Sequence, residues 1–100
     1  MARFASFREF YPFYLDEHRN RTSRRLHFLG SCGALGCVAA AVIAADPRWL
    51  LAALGCGYAF AWVGHFFFEH NRPATFRHPL YSLAGDWVMF KDILTGRIPL

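Results

Sequence analysis

Two long uncharged runs, separated by three residues, constrain this 100-residue chain more than any other feature. The first run covers residues 28–45, and the second covers residues 49–68 with a single ionisable residue, His65. Crossing the hydrocarbon core of a bilayer takes about 20 apolar residues. The intervening Asp46-Pro47-Arg48 is a turn signal, too short for anything but an antiparallel helical hairpin. The sequence therefore predicts two spanning helices whose outer ends lie on the same side of a membrane.

The composition favours a membrane protein. Apolar residues make up 55% of the chain and charged residues 18%, against about 45–50% and about 25% in soluble domains. This composition excludes a disordered chain and a collagen-like repeat. Two other interpretations of the runs remain open. A cleaved signal peptide conflicts with the long basic lead-in, and a hairpin buried in a soluble protein is allowed because the runs are near the shorter limit for spanning.

The basic residues indicate the orientation. They flank the hairpin, with Arg48 alone in its loop: Arg3, Arg8, Arg19, Arg21, Arg24 and Arg25 before it, and Arg72, Arg77, Lys91 and Arg97 after it. By the positive-inside rule, both termini are predicted to be cytoplasmic. No nucleic-acid-binding module accompanies these charges, so nucleic acid is not an expected partner.

Both ends of the chain show helical periodicity. Aromatic and apolar residues recur at alternating spacings of three and four in two sets: Phe4, Phe7, Tyr11, Tyr14 and His18, then Leu80, Leu83, Trp87, Phe90 and Leu94. The charges on the second set favour a helix that lies at the interface or packs on the bundle. The predicted fold is all-α, a single membrane-embedded helical bundle over residues 1–100. It consists of the spanning hairpin plus N- and C-terminal interfacial helices.

Three of the five histidines fall where this hairpin can gather them. If the chain turns at Pro47, His27 lies within about 3 Å in height of both His65 and Glu69. His65 and Glu69 are four residues apart, on one face of the second spanning helix. His18 reaches the same centre only if the helix breaks before His27, because nine residues rotate a helix by about 900°. The segment around Asn20 supplies that break, with Asn20 as a plausible N-cap residue and Thr22 as an alternative.

These residues predict a metal site at the cytoplasmic boundary, with His18, His27, His65 and Glu69 as ligands. Imidazoles plus a carboxylate on bundled helices are typical of non-haem iron with open coordination positions. Zinc accepts the same ligands, and the sequence does not separate the two metals. Whether Glu69 is a ligand or orients one is left open.

Other polar residues near this centre have expected supporting roles. Glu17 and Asn20 are candidates for orienting the imidazoles, and Arg72 is a candidate for binding a substrate carboxylate. His70 and His78 are expected to be solvated rather than ligands. Two different functions also remain open: a haem protein that uses two of the histidines as axial ligands, and a metal-free membrane scaffold.

Several motifs resemble a family of small membrane proteins long catalogued as a domain of unknown function. They are Glu17-His18-Arg19-Asn20 with His27 and Gly30, then Gly64-His65-Phe66-Phe67-Phe68-Glu69, then Arg72-Pro73-Ala74 and Ser82-Leu83. The family includes the fungal endoplasmic-reticulum 2-hydroxy fatty acid dioxygenase of phytosphingosine breakdown. The resemblance covers nearly the whole chain and is strong with the short bacterial members. Fungal members have additional membrane segments between the two histidine motifs.

The resemblance implies an Fe(II)-dependent dioxygenase of fatty acid α-oxidation. With O2, such an enzyme converts a 2-hydroxy fatty acid into CO2 and a fatty acid one carbon shorter. The family's essential histidines map onto His18, His27 and His65. The implied location is a bacterial inner membrane, with lipid as a partner. Whether the chain forms a homo-oligomer stays open.

Overall fold

The computed structural model describes residues 4–100, so Arg3, one of the predicted topology-setting charges, lies outside the described residues. The four helices, in chain order, are α1 (Phe7–Asp16), α2 (Arg21–Ile43), α3 (Arg48–Val63) and α4 (Pro79–Leu94). A π-helical turn, Gly64–Glu69, continues α3, and a 3-10 turn, Ala74–Phe76, precedes α4. No strand occurs over residues 4–100, which confirms the prediction of an all-α chain.

The start of α2 follows the predicted break in the chain. Asn20 has an extended backbone (φ −70°, ψ 127°), and its side-chain oxygen accepts a hydrogen bond from the Ser23 N–H. This bond satisfies one of the donors that every helix leaves unpaired in its first turn. The predicted N-cap at Asn20 is therefore confirmed, and α1 and α2 are free to take different directions.

Helices α2 and α3 are joined by residues 44–47 and pack against each other where small residues permit it. A Cβ atom at Gly30 would lie 2.9 Å from the Cβ of Phe60, and one at Gly64 would lie 2.7 Å from the Oγ of Ser23. Only glycine allows backbones to approach this closely. Within the connection, Asp46 accepts hydrogen bonds from the Arg48 backbone N–H (3.0 Å) and guanidinium (2.8 Å).

Two helical stretches, Arg21–Ile43 and Arg48–Glu69, are long and apolar enough to cross a membrane. Only 11% of the residues in the apolar window of each stretch are buried, whereas the core helix of a soluble protein is mostly buried. The exposure is greatest beside the connection, where Ile43 is 85% and Leu51 is 72% exposed. An aqueous protein rarely exposes a contiguous apolar surface of this kind.

The buried core lies instead between α1 and α4, at the other end of the molecule. It consists of Phe10, Tyr14, Ala74, Met89 and Ile93. The aromatic stripe of α1 contacts this core, and His18 at its end is buried. On α4 the predicted apolar stripe is mostly exposed, including Leu80 and Leu94. The buried face of α4 is a different one, and it consists of Ser82, Gly85, Met89, Asp92 and Ile93.

Candidate metal centre

His18, His27 and His65 come from three different segments of the chain. His18 follows the end of α1 directly, His27 lies in the second turn of α2, and His65 lies in the π-helical turn after α3. The break before Asn20 turns the chain so that His18 and His27 face each other. The close contact of Gly64 with Ser23 brings the π-helical turn against the start of α2. Each side chain is thus positioned by a different local feature.

The three imidazoles form one compact, buried group. Their ring centroids are 4.4 Å apart for His18 and His27, 4.5 Å for His18 and His65, and 5.0 Å for His27 and His65. One ring nitrogen from each lies within 4.8 Å of the other two. The side chains are 1%, 7% and 2% exposed in chain order. Three buried histidines this close together could hold a metal ion.

Hydrogen bonds at Nδ1 fix the tautomers of two of these rings. His18 Nδ1 donates to the Tyr14 carbonyl (2.6 Å), and His65 Nδ1 donates to the Asn71 side-chain oxygen (2.6 Å). With the proton on Nδ1, the lone pair of each ring is at Nε2. Metal-binding histidines typically use this arrangement, in which a backbone carbonyl or a side-chain oxygen orients the ring.

Two ring nitrogens are buried without a hydrogen-bond partner. The Nε2 atoms of His18 and His27 have no hydrogen-bond partner among residues 4–100. Burying an unpaired polar atom costs about 1–3 kcal/mol, and a metal ion coordinated at these atoms removes that cost. Burial, with a smaller effect of His65, also lowers the pKa of His18 to about 3. His18 is therefore neutral near pH 7, which is the form that coordinates metals.

Asn71, which the sequence analysis missed, links His65 to Glu17. Its side-chain N–H group donates to the Glu17 carbonyl (3.0 Å) and carboxylate (3.3 Å) while its oxygen accepts from His65. The orientation of the Asn71 amide is therefore determined by Glu17. Glu17 was predicted to orient an imidazole, and its contact with His65 runs through Asn71. The sequence offered only a polar residue six positions after His65. This spacing does not place two residues on the same face of an α-helix.

Glu69 and Asn20 contact each other at the edge of the site. Both Glu69 carboxylate oxygens accept from the Asn20 backbone N–H, at 3.1 and 3.0 Å, and the Asn20 side chain donates to the Phe68 carbonyl. Glu69 thus lies at the N-terminus of α2, where the helix dipole favours a negative charge. This contact holds the non-helical segment after His18 against the π-helical turn that contains His65.

The remaining candidates lie away from the three imidazoles. Arg72 is exposed and is not one of the described residues that line the adjacent cavity. His70 is exposed in a left-handed conformation (φ 58°). His78 is half-buried and packs against the rings of Phe4 and Phe10, so it is less solvated than expected.

An apolar cavity of about 420 Å³ begins at the three histidines. It continues as an open groove along α2 and α3, past the exposed side chains of Leu35 and Val38 on one helix and Leu50 and Leu54 on the other. Eleven residues separate His27 from Val38, so the cavity extends about 16 Å along α2. A long, apolar cavity with a polar group at one end fits a molecule with a polar head and an aliphatic tail.

Helix α4 closes the polar end of this cavity. Its residues Ser82 and Asp86 line the cavity together with Tyr14 of α1. The Tyr14 hydroxyl donates to the Asp86 carboxylate, and the Tyr14 ring stacks on His18 with a centroid distance of 4.1 Å. Burial raises the pKa of Asp86 to about 6, although the hydrogen bond from Tyr14 favours the carboxylate.

A family model described as 2-hydroxy-palmitic acid dioxygenase Mpo1-like matches residues 4–98. The match includes all three histidines, Asn71 and the residues of α4 that line the cavity. No curated protein and no solved structure matches the chain significantly.

Proposed function

Because the chain belongs to the 2-hydroxy-palmitic acid dioxygenase Mpo1-like family, we propose that it is an iron(II)-dependent dioxygenase of 2-hydroxy fatty acids. The observation that carries this proposal is the meeting of three buried imidazoles with one end of a long apolar cavity. The proposed reaction joins a 2-hydroxy fatty acid and O2 to give CO2, water and a fatty acid one carbon shorter.

His18, His27 and His65 are the proposed ligands of the ion. Three imidazoles leave coordination positions open for substrate and oxygen, and imidazole suits iron and zinc alike. Iron rather than zinc is proposed because the reaction requires a redox-active centre, which is the chemistry that the bound ion supplies. The hydrogen bonds from His18 to Tyr14 and from His65 to Asn71 hold the rings with Nε2 available.

The cavity is the proposed site of the acyl chain. Its walls along α2 and α3 are apolar, so they can bind an aliphatic tail. The substrate carboxylate and 2-hydroxyl then lie beside the imidazoles. Arg72, predicted to bind the carboxylate, is exposed and apart from the cavity, so the imidazole cluster and α4 are better placed to orient the polar head.

We also propose that α2 and α3 span a bacterial inner membrane as an antiparallel hairpin with both termini in the cytoplasm. The helical stretches Arg21–Ile43 and Arg48–Glu69 are each long and apolar enough to cross a membrane. The exposed apolar surface beside the connection supports contact with lipid. A substrate with an aliphatic tail could then enter the cavity directly from the bilayer.

The geometry favours a single ion over haem, the other cofactor considered. Haem needs a flat slot between its two axial ligands, whereas these imidazoles contact each other edge to face at centroid distances of 4.4–5.0 Å. A purified protein that shows a Soret band would contradict this preference.

Turnover of 2-hydroxypalmitate tests the proposal. Protein purified in detergent without oxygen and loaded with Fe(II) is expected to release CO2 from carboxyl-labelled substrate once O2 is admitted, with one O2 consumed per CO2. Zinc-loaded protein is the matched control and is expected to be inactive. Failure of the iron-loaded protein across chain lengths would contradict the proposed activity, and a folded sample without stoichiometric metal would favour a scaffold.

A further inference from the structure

Ser82 has an unusual environment for a helical serine. It is 3% exposed, it lines the cavity, and its Oγ has no hydrogen-bond partner within the described part of the chain. A buried helical serine often donates to the carbonyl four residues earlier. Ser82 makes no such side-chain bond: its backbone N–H donates to the His78 carbonyl at 2.8 Å, whereas its Oγ has no partner among the described residues. A buried hydroxyl without a partner is destabilising, so a ligand that pairs with it binds more tightly.

Asp86 lies one helical turn after Ser82. Residues four apart share a helix face, with Cβ atoms about 5–6 Å apart, and both side chains line the cavity. The Tyr14 hydroxyl donates a hydrogen bond to one Asp86 oxygen. An ionised carboxylate can accept several further hydrogen bonds. The polar end of the cavity therefore presents a hydroxyl donor next to a carboxylate acceptor.

We infer that Ser82 and Asp86 form a binding site for the 2-hydroxyl group of the substrate, an inference that rests on the proposed function. An alcohol can donate one hydrogen bond and accept others. The 2-hydroxyl donates to the Asp86 carboxylate and accepts from Ser82 Oγ, so that each polar group in the site gains a partner.

The same arrangement orients the substrate. A negative charge at Asp86 repels the substrate carboxylate, which therefore turns away from α4 and toward the imidazoles. The aliphatic tail follows the apolar walls along α2 and α3. A fatty acid without the 2-hydroxyl leaves Ser82 and Asp86 unpaired, and sites built on buried hydrogen bonds reject such analogues strongly.

The test compares the binding of 2-hydroxypalmitate and palmitate to iron-loaded protein kept without oxygen, so that no turnover occurs. Wild-type protein is expected to prefer the hydroxylated acid. Loss of one neutral hydrogen bond lowers binding by roughly two- to tenfold, so Ser82→Ala is expected to lower the preference by that factor while affinity for palmitate is unchanged. Ser82→Cys preserves the side-chain volume but is a poor donor, and it is expected to behave like Ser82→Ala. Asp86→Asn removes the charge and is expected to lower the preference as well.

Thr95→Ala is the matched control. Thr95 follows the end of α4, is exposed and does not line the cavity, so its loss is expected to leave the preference at the wild-type ratio. Metal content is measured for every variant and is expected to stay at the wild-type level.

The outcomes separate this inference from the proposed function. If wild-type protein binds both acids and Ser82→Ala keeps the wild-type ratio, recognition of the 2-hydroxyl by α4 is wrong, while the acyl cavity stands. If wild-type protein binds neither acid, the proposed function is wrong, and the inference falls with it.

Discussion

Near Ser23 and Gly64 the α2–α3 pair is tightly closed, whereas near Ile43 and Leu51 its apolar side chains are exposed. At the closed end, buried imidazoles are held by hydrogen bonds that connect α1, α2 and the π-helical turn. At the open end, the side chains are aliphatic and form few contacts. The difference indicates that specific polar contacts determine the geometry of one end, while the other end leaves an apolar surface uncovered.

The largest effect is expected from removing an imidazole at the closed end. His65→Ala should abolish stoichiometric metal binding while the protein still inserts into membranes, because insertion depends on the apolar runs. Metal analysis of the purified variant is the measurement. His70→Asn is the matched control, since His70 is exposed and asparagine tolerates its left-handed backbone. Unchanged metal content in His65→Ala would remove His65 from the site.

Asn71→Ala is expected to have the next largest effect. Asn71 accepts the Nδ1–H of His65. Mutating a residue that orients a metal-binding histidine typically lowers metal affinity or activity roughly 10- to 100-fold. Competition with a chelator of known affinity measures the change. Glu17→Gln leaves the Asn71 oxygen in place as the acceptor for His65 and is expected to lose less affinity. Equal losses in the two variants would contradict this role for the Asn71 oxygen.

Helix contact at the closed end can be tested with a pair of glycine variants. Gly30→Ala would place a Cβ atom 2.9 Å from Phe60, and overpacking of this kind costs about 1–3 kcal/mol. For Gly36, on the same helix, the described residues leave the space within 4 Å of a Cβ empty. Gly36→Ala is therefore expected to be neutral or slightly stabilising. Thermal unfolding in detergent distinguishes them, and equal melting temperatures would contradict the close approach.

The smallest effect is a pH dependence from Asp86, whose pKa burial raises from 3.8 to about 6. Between these pH values the folded protein binds the proton more tightly than the unfolded chain, so stability falls as pH rises through this range. In the Asp86→Asn variant the side chain cannot ionise, so this loss of stability with rising pH does not occur. The melting temperature of this variant relative to wild type should therefore rise between pH 4 and pH 7. A constant difference would mean that Asp86 is not buried as described.

The sequence anticipated much of the fold because its strongest signals are local. The apolar runs, the break at Asn20 and the periodicity of α1 each depend on neighbouring residues, and each predicted helix is present. The burial of α4 was harder to foresee. Its predicted apolar stripe is mostly exposed, and the buried face instead combines Ser82 and Gly85 with Met89. Hydrophobic periodicity shows which residues share a helix face, but it does not show whether that face meets protein or lipid.

The sequence by itself determined that His18, His27 and His65 could meet, because the helix break before Asn20 and the turn at Pro47 bring them to the same level along the helix pair. Only the tertiary structure decided how they are held. Asn71 reaches His65 because a π-helical turn replaces the expected α-helix, and Ser82 faces the cavity because Gly85 admits the Tyr14 ring against α4. These contacts join residues more than 50 positions apart or depend on local departures from α-helical geometry, which periodicity along one chain does not encode.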